Sequence, residues 1–258
     1  MNSLPKLKNF LEKLKAAVYP ENITCDLCGK ELFGKERGAF CAECRKALPI
    51  IKGRICAFCG VPMDNDATYC DRCQNSKSVL TKNRAALEYT DEARRMIYGV
   101  KFGGKRYLLR DLAVLMTDTY LSEGFTANVL TYVPMTPAEK RNRGFNQSEI
   151  LAGEIAKRLK LPVSDELTKI RNTKAQKKLT AKERAANLEG AFRVTNSDAF
   201  KNKDVVIVDD VYTTGATLSE CASVLRKAGA KSVSGLTACI TKYHVAGETA
   251  KSDEKGQK

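Results

Sequence analysis

Residues 205–218 read Val-Val-Ile-Val-Asp-Asp-Val-Tyr-Thr-Thr-Gly-Ala-Thr-Leu, and this run decides the fold. Four consecutive apolar residues, Val205 to Val208, predict a strand buried on both faces, as parallel sheets require. Two acids follow, then a Thr/Gly/Ala/Thr loop, then a helical pattern from Leu218 to Ala228. Ligands of open α/β sheets bind outside the carboxyl ends of the strands. A small-residue loop entering a helix offers backbone N–H groups and a positive dipole end to a phosphate. Asp209 and Asp210 can accept hydrogen bonds from the vicinal hydroxyls of a sugar. The segment therefore has partners for both ends of a ribose 5-phosphate. The alternative is a plain βα turn with an N-capping Thr, but two acids and two threonines around Gly215 favour the phosphate site.

The rest of the chain fits an α/β domain. Helices are expected over Glu92–Lys101, Tyr107–Leu121 and Gln147–Leu159, and buried strands over Val129–Val133 and Val233–Ile240. Strands alternating with helices imply parallel βαβ units. The 258 residues suffice for one medium domain and a small one. The division expected is a basic amphipathic helix at 1–20, a metal module at 21–80, an α/β domain at 81–246 and a disordered tail at 247–258. In the first segment Leu4, Leu7, Leu11, Leu14 and Val18 repeat at helical spacing among lysines. Such a helix docks on its own protein or, less commonly, on a membrane surface through residues 4–18. No stretch approaches the ~18 apolar residues of a membrane span, and no apolar signal-peptide core is present. A soluble cytoplasmic protein is the expectation.

Eight of the ten cysteines form four C-x2-C pairs: Cys25/Cys28, Cys41/Cys44, Cys56/Cys59 and Cys70/Cys73. The first two pairs read C-x2-C-G-x11-C-x2-C and the last two C-x2-C-G-x9-C-x2-C. Two thiolates two residues apart grip one metal from a tight turn, and the glycine permits the positive φ of such a knuckle. Four sulfurs in a tetrahedron make a closed structural site. The internal repeat assigns Cys25, Cys28, Cys41 and Cys44 to one zinc and Cys56, Cys59, Cys70 and Cys73 to another. A cross-braced pairing and an iron–sulfur cluster remain alternatives. Cys221 and Cys239, in apolar surroundings, read as small core residues.

The formal net charge is +14, which two tetrathiolate zinc sites bring to about +10. Residues 140–184 hold 13 basic and 5 acidic side chains, a concentration that suits a polyanion, pyrophosphate or nucleic acid. A solvated basic face is the plainer reading.

The 205–218 run resembles the PRPP-binding signature of type I phosphoribosyltransferases. By that resemblance Asp209 and Asp210 hold the ribose 2′- and 3′-hydroxyls, and Thr213, Thr214, Gly215, Ala216 and Thr217 cradle the 5′-phosphate. Further motifs are R-G-F-N-Q at 143–147, Q-x2-L at 176–179 and R-x2-N-L-x-G-A-F at 184–192. With the order of basic helix, four C-x2-C pairs and transferase-like domain, they resemble the ComF family over nearly the whole chain up to about Tyr243.

The resemblance implies a type I phosphoribosyltransferase-like parallel sheet flanked by helices, preceded by a double zinc-ribbon module. It also implies two structural zincs and Mg²⁺ with PRPP. Thr136, Lys140, Arg141, Arg143, Arg171, Lys177 and Arg184 become candidate contacts to pyrophosphate or nucleic acid, since guanidinium groups pair bidentately with phosphate. Residues 172–188 match the loop that closes over PRPP in the larger family. Natural competence, with single-stranded DNA handled inside the cell, is the implied process. Its implied partners are PRPP, single-stranded DNA and competence-machinery proteins such as a DNA-translocating ATPase. An active transferase displacing Mg²⁺-pyrophosphate from PRPP is the competing expectation. Purine-salvage relatives carry an acid where this chain has Thr213, and no residue here specifies an acceptor.

Overall fold

A computed structural model describes residues 23–32, 38–76, 78–172 and 187–242. The expected N-terminal helix and C-terminal tail lie outside the described residues, as does most of the 172–188 segment.

The central strand β5, Asp204–Tyr212, runs longer than the four apolar residues that announce it and carries both acids inside it. It pairs in parallel with β6 (Ser232–Ile240) on one side and β2 (Val129–Tyr132) on the other. β6 pairs in turn with β1 (Asn83–Glu88), giving a four-stranded parallel sheet in the order β1-β6-β5-β2. Because side chains alternate across a strand, Val206 and Val208 enter one core while Val205 and Ile207 enter the other. The first core is filled from α2 (Asp91–Phe102), α3 (Leu108–Ser122) and α5 (Gln147–Leu159). The second is filled from α6 (Ala216–Lys227) and from a small antiparallel pair, β3 (Leu167–Lys169) with β4 (Phe192–Val194).

Each cysteine-rich unit joins one of these cores. Cys25, Phe40 and Cys41 pack into the first, and Cys56, Cys59 and Val61 into the second. The short helix α1, Ala42–Lys46, carries Cys44. Between the two units, the 48–51 segment covers the outer edge of β1: the Glu88 N–H donates to Pro49 O at 2.8 Å and the Ile51 N–H to Ala86 O at 3.1 Å. An edge strand would otherwise expose unpaired backbone groups.

Three local features differ from the sequence-based expectation. β1 is a strand not expected from its polar start; Asn83 and Arg84 are buried there because they donate to the backbone of the second cysteine unit, Asn83 to Cys59 O at 3.0 Å and Arg84 to Ala57 O at 3.2 Å. The stretch after β2 is a helix, α4 (Pro137–Arg143), opened by a capping box between Thr136 and Glu139 with Pro137 in its first turn. α6 begins at Ala216, two residues before the expected start, so Ala216 and Thr217 belong to its first turn.

Candidate functional site

The carboxyl end of β5 places two carboxylates at the floor of a cleft of about 1310 Å³. Asp210 is buried, and Asp209 is half-buried at the cleft surface. Adjacent buried acids need donors and a cation, and two helices supply them. From the first turn of α5, Ser148 Oγ donates to Asp209 Oδ1 at 2.8 Å, and Gln147 Nε2 lies 3.5 Å from Asp210 Oδ2. From the last turn of α2, Lys101 Nζ pairs with Asp210 Oδ2 at 2.5 Å. Burial, and then the Asp210 charge, push the Asp209 carboxyl up to about 7. Burial works against the Lys101 ammonium, but the Asp210 carboxylate outweighs it and holds that amine above the usual lysine range.

The segment Arg143 to Ser148 builds this support. Gly144 ends α4 with φ 82, and Phe145 is buried beneath the Arg106 guanidinium, 4.1 Å from its ring centroid. The Asn146 side chain accepts from the Ser148 N–H at 3.0 Å as the cap of α5 and donates to Val133 O at 3.0 Å. Arg143 donates to Gln147 Oε1 at 3.2 Å. The R-G-F-N-Q motif thus organises the acidic pair.

Beyond the acids, Thr213 and Thr214 lead to Gly215, the cap of α6, at φ 76. A Cβ there would collide with the Tyr212 ring, so this position needs glycine for both backbone and space. Gly215 supplies no side-chain acceptor to the start of α6, where the Ala216 N–H donates to Thr214 Oγ1 at 3.4 Å; amides at a helix start are the arrangement an anion uses. The carbonyl side of the loop is held from the cysteine module. Arg72, between Cys70 and Cys73, donates through Nη1 to Thr213 O at 3.2 Å and through Nη2 to Thr214 O. Ser78 and Ser219 hydroxyls meet at 2.9 Å nearby.

The other basic candidates are dispersed. Arg143 lines the cleft. Lys140 pairs with Glu149 at 2.6 Å, and Arg141 is exposed. The Thr136 hydroxyl caps α4 and donates to Asn172 Oδ1 at 2.6 Å. Arg171 donates to Asn187 O at 3.2 Å and Glu189 O at 2.7 Å. Lys177 and Arg184 lie outside the described residues. Lys101, Gln147, Ser148 and Arg72 were absent from the sequence-based candidates. Gln147 and Ser148 have a signal: Gln147 closes the R-G-F-N-Q motif and Ser148 follows it, at the amino end of an expected helix. Nothing local pairs residue 101 with 210 or residue 72 with 213.

The eight paired cysteines form two clusters, Cys25/Cys28/Cys41/Cys44 and Cys56/Cys59/Cys70/Cys73, with all ligand atoms of each within 4.8 Å of one another. This grouping follows the sequence repeat. Cys28 and Cys41 sulfurs are 3.9 Å apart, and Cys59 and Cys70 sulfurs 3.8 Å. A tetrahedron with Zn–S bonds of about 2.3 Å has edges of about 3.8 Å, so the donor sets fit zinc. Gly29 and Gly60 adopt φ 74 and 79 at the two knuckles. Burial opposes charge on Cys25 and Cys56, yet backbone N–H donors bring them down to about 6 and about 7. Burial and the neighbouring sulfurs push Cys44 and Cys59 well up, a repulsion that a bound cation relieves.

Residues 146–257 match the phosphoribosyl transferase domain family and residues 14–74 the double zinc ribbon domain family. The chain is similar to competence protein F of Haemophilus influenzae, 28% identical over 82% of this chain and 94% of that protein. It is 29% identical to the DNA utilization protein YhgH of Salmonella typhi, over 84% of this chain and 96% of that one. Competence protein ComFC of Bacillus subtilis is 30% identical over 76% of this chain and 82% of its own length.

Two outcomes are expected. Asp209 binds its proton more tightly folded than unfolded, so its contribution to stability is greatest below the ordinary carboxylate range and declines as pH rises through about 7. Asp209→Asn should remove that decline and, at pH 8, raise Tm by roughly 2–5 °C, as about 1 kcal/mol moves Tm by 2–4 °C at this chain length. Calorimetric scans of both proteins from pH 4 to 8 check the sign. Arg72→Ala removes the two exposed hydrogen bonds that hold the 213–214 carbonyls, so zinc content and Tm should hold while affinity for a ribose 5-phosphate ligand falls about 5- to 10-fold as the loop loses its support. Isothermal titration beside metal analysis measures both.

Proposed function

The chain belongs to the ComF family of competence and DNA-utilization proteins, and from that premise we propose that it binds PRPP at the end of β5 and handles single-stranded DNA in the cytoplasm. The observation that carries the PRPP reading is the adjacent acid pair, Asp210 buried and Asp209 half-buried at the cleft surface, set just ahead of a helix whose first turn is capped by a glycine. In this reading the carboxylates accept from the ribose hydroxyls, and the 213–217 segment receives the 5′-phosphate. Ribose hydroxyls would take the place Lys101 now holds against Asp210, freeing its ammonium for the pyrophosphate side of the cleft. The hard oxygens of Asp209 and Asp210 suit Mg²⁺ carried in with PRPP, which neutralises pyrophosphate charge. Lys101 and Arg143 add positive charge around the same space. Two structural zincs hold the ribbon units, and competence-machinery proteins, including a DNA-translocating ATPase, are the proposed partners.

The proposal favours ligand binding over turnover. Thr213 has no acidic group to assist an attacking base, and its carbonyl already accepts from Arg72.

Titration of the zinc-loaded protein with PRPP and Mg²⁺ is expected to show one site. Asp209→Asn with Asp210→Asn should weaken it by about 10-fold or more, the cost of losing hydrogen bonds to charged acceptors. Undiminished affinity in that double variant would move the ligand elsewhere. Release of pyrophosphate in an acceptor screen would replace the binding reading with the transferase one. Salt-sensitive binding of oligo(dT) is the corresponding test for the strand.

A further inference from the structure

The cleft exceeds what one sugar phosphate needs. Sites for single small ligands measure roughly 300–1,000 Å³, against about 1310 Å³ here. Residues of α2 form part of the cleft's lining.

α2 buries Ala93, Met96, Ile97, Gly99 and Val100 in the first core. Arg94, Tyr98, Lys101 and Phe102 line the cleft, where Ile97 and Val100 also reach its wall. Their spacing of four, seven and eight residues places them on one helical stripe. Tyr98 and Phe102 are 60% and 59% exposed, with ring centroids 4.8 Å apart. Two large adjacent rings are costly to leave in water and do nothing for the core. The Arg143 guanidinium lies 5.6 Å from the Phe102 centroid, and Arg94 and Arg106 line the same cleft.

We propose that this face of α2 is a stacking site for an unpaired base of a single-stranded nucleic acid, next to the ribose-phosphate site. It rests on the strand-handling reading above and assigns that reading a place. Aromatic rings interleaved with arginines are what an unpaired strand meets in single-strand binders: rings take bases of any sequence, and cations follow the backbone. A duplex keeps its bases stacked on each other and cannot offer one to Tyr98. A free nucleobase would use the rings but leave Arg94, Arg106 and Arg143 without phosphates. The charge around the rings therefore favours a strand.

The chain contains no tryptophan, so Tyr98→Trp introduces a single reporter at the proposed contact. With zinc-loaded full-length protein, oligo(dT) should quench it, and quenching should persist with PRPP and Mg²⁺ present. Tyr98→Ala with Phe102→Ala should reduce oligo(dT) affinity about 10- to 100-fold, the usual loss for removing stacked bases. The slope of affinity against salt should stay near wild type because the arginines remain. PRPP affinity and Tm of the double variant report whether it is folded. If it binds oligo(dT) as wild type does and Tyr98→Trp is not quenched, the α2 site is overturned while strand binding stands. If wild type binds no oligonucleotide, the strand reading itself fails and PRPP binding is untouched. Quenching as strong from free thymidine as from oligo(dT), or loss of quenching on adding PRPP, would also overturn the proposal.

Discussion

Two adjacent carboxylates at the end of a buried strand are the constraint around which this molecule is arranged. Neither can be left without donors or countercharge in low dielectric, where an uncompensated charge costs several kcal/mol, roughly the stability margin of a whole domain. The chain meets that demand from two separate elements: Ser148 and Gln147 at the start of α5, and Lys101 at the end of α2. The demand therefore fixes how α5 enters, with Asn146 as its cap, and how far α2 extends before Gly103. It also explains why the loop before α5 buries a ring under an arginine: Phe145 and Gly144 turn the chain so that Ser148 arrives at the acids. The burial that makes the pair costly also makes its surroundings rigid, which a site for sugar hydroxyls requires.

The two ribbon units are integrated into the domain. A module this size lacks an adequate core, so metal binding supplies its folding energy. Once formed, each unit lends apolar cysteine and aromatic surface to one face of the sheet. The backbone of the second unit also accepts from Asn83 and Arg84, so the edge strand, paired with β6 on one side only, acquires buried polar partners outside the sheet. Arg72 then extends from the Cys70–Cys73 turn of the second unit to the 213–214 carbonyls. The loop is held by its acceptors from one side, leaving donors on the other. Arg72 directly precedes the cluster cysteine Cys73, so the loop carbonyls are held from within the second unit.

What could be read in advance follows from how local each signal is. Val205 to Val208 announced the central strand because four β-formers in a row suit only a doubly covered position. α5 was legible over its full range from apolar periodicity alone, and the cysteine grouping from an internal repeat. β1 was hidden because Asn83 and Arg84 look like loop residues until the ribbon carbonyls that satisfy them are in place. α4 is a different case, since Thr136-Pro137-Ala138-Glu139 carries a capping box and a first-turn proline. The basic side chains that follow, Lys140, Arg141 and Arg143, point to phosphate contact and carry no helical signal of their own. Among the residues around the acids, Lys101 is 109 positions from Asp210 in sequence, and no periodicity or motif encodes a pairing at that range. β3 and β4 are three residues each, too short for alternation to register.

The distribution of charge in the cleft narrows the chemistry of what enters it. Carboxylates lie at the floor, donors from a helix start beside them, arginines line the same cleft, and one wall carries aromatic rings. Hydroxyls satisfy the floor, phosphates the helix start and the guanidinium groups, and a planar heterocycle the wall. A peptide would bring few acceptors for the helix start, and a lipid headgroup would bring no planar partner for Tyr98 and Phe102. Under the proposed function a nucleotide strand supplies all three kinds of group. The sugar-phosphate and strand proposals then share one cleft, where Lys101 pairs with Asp210 and lies on the same helical face as the rings.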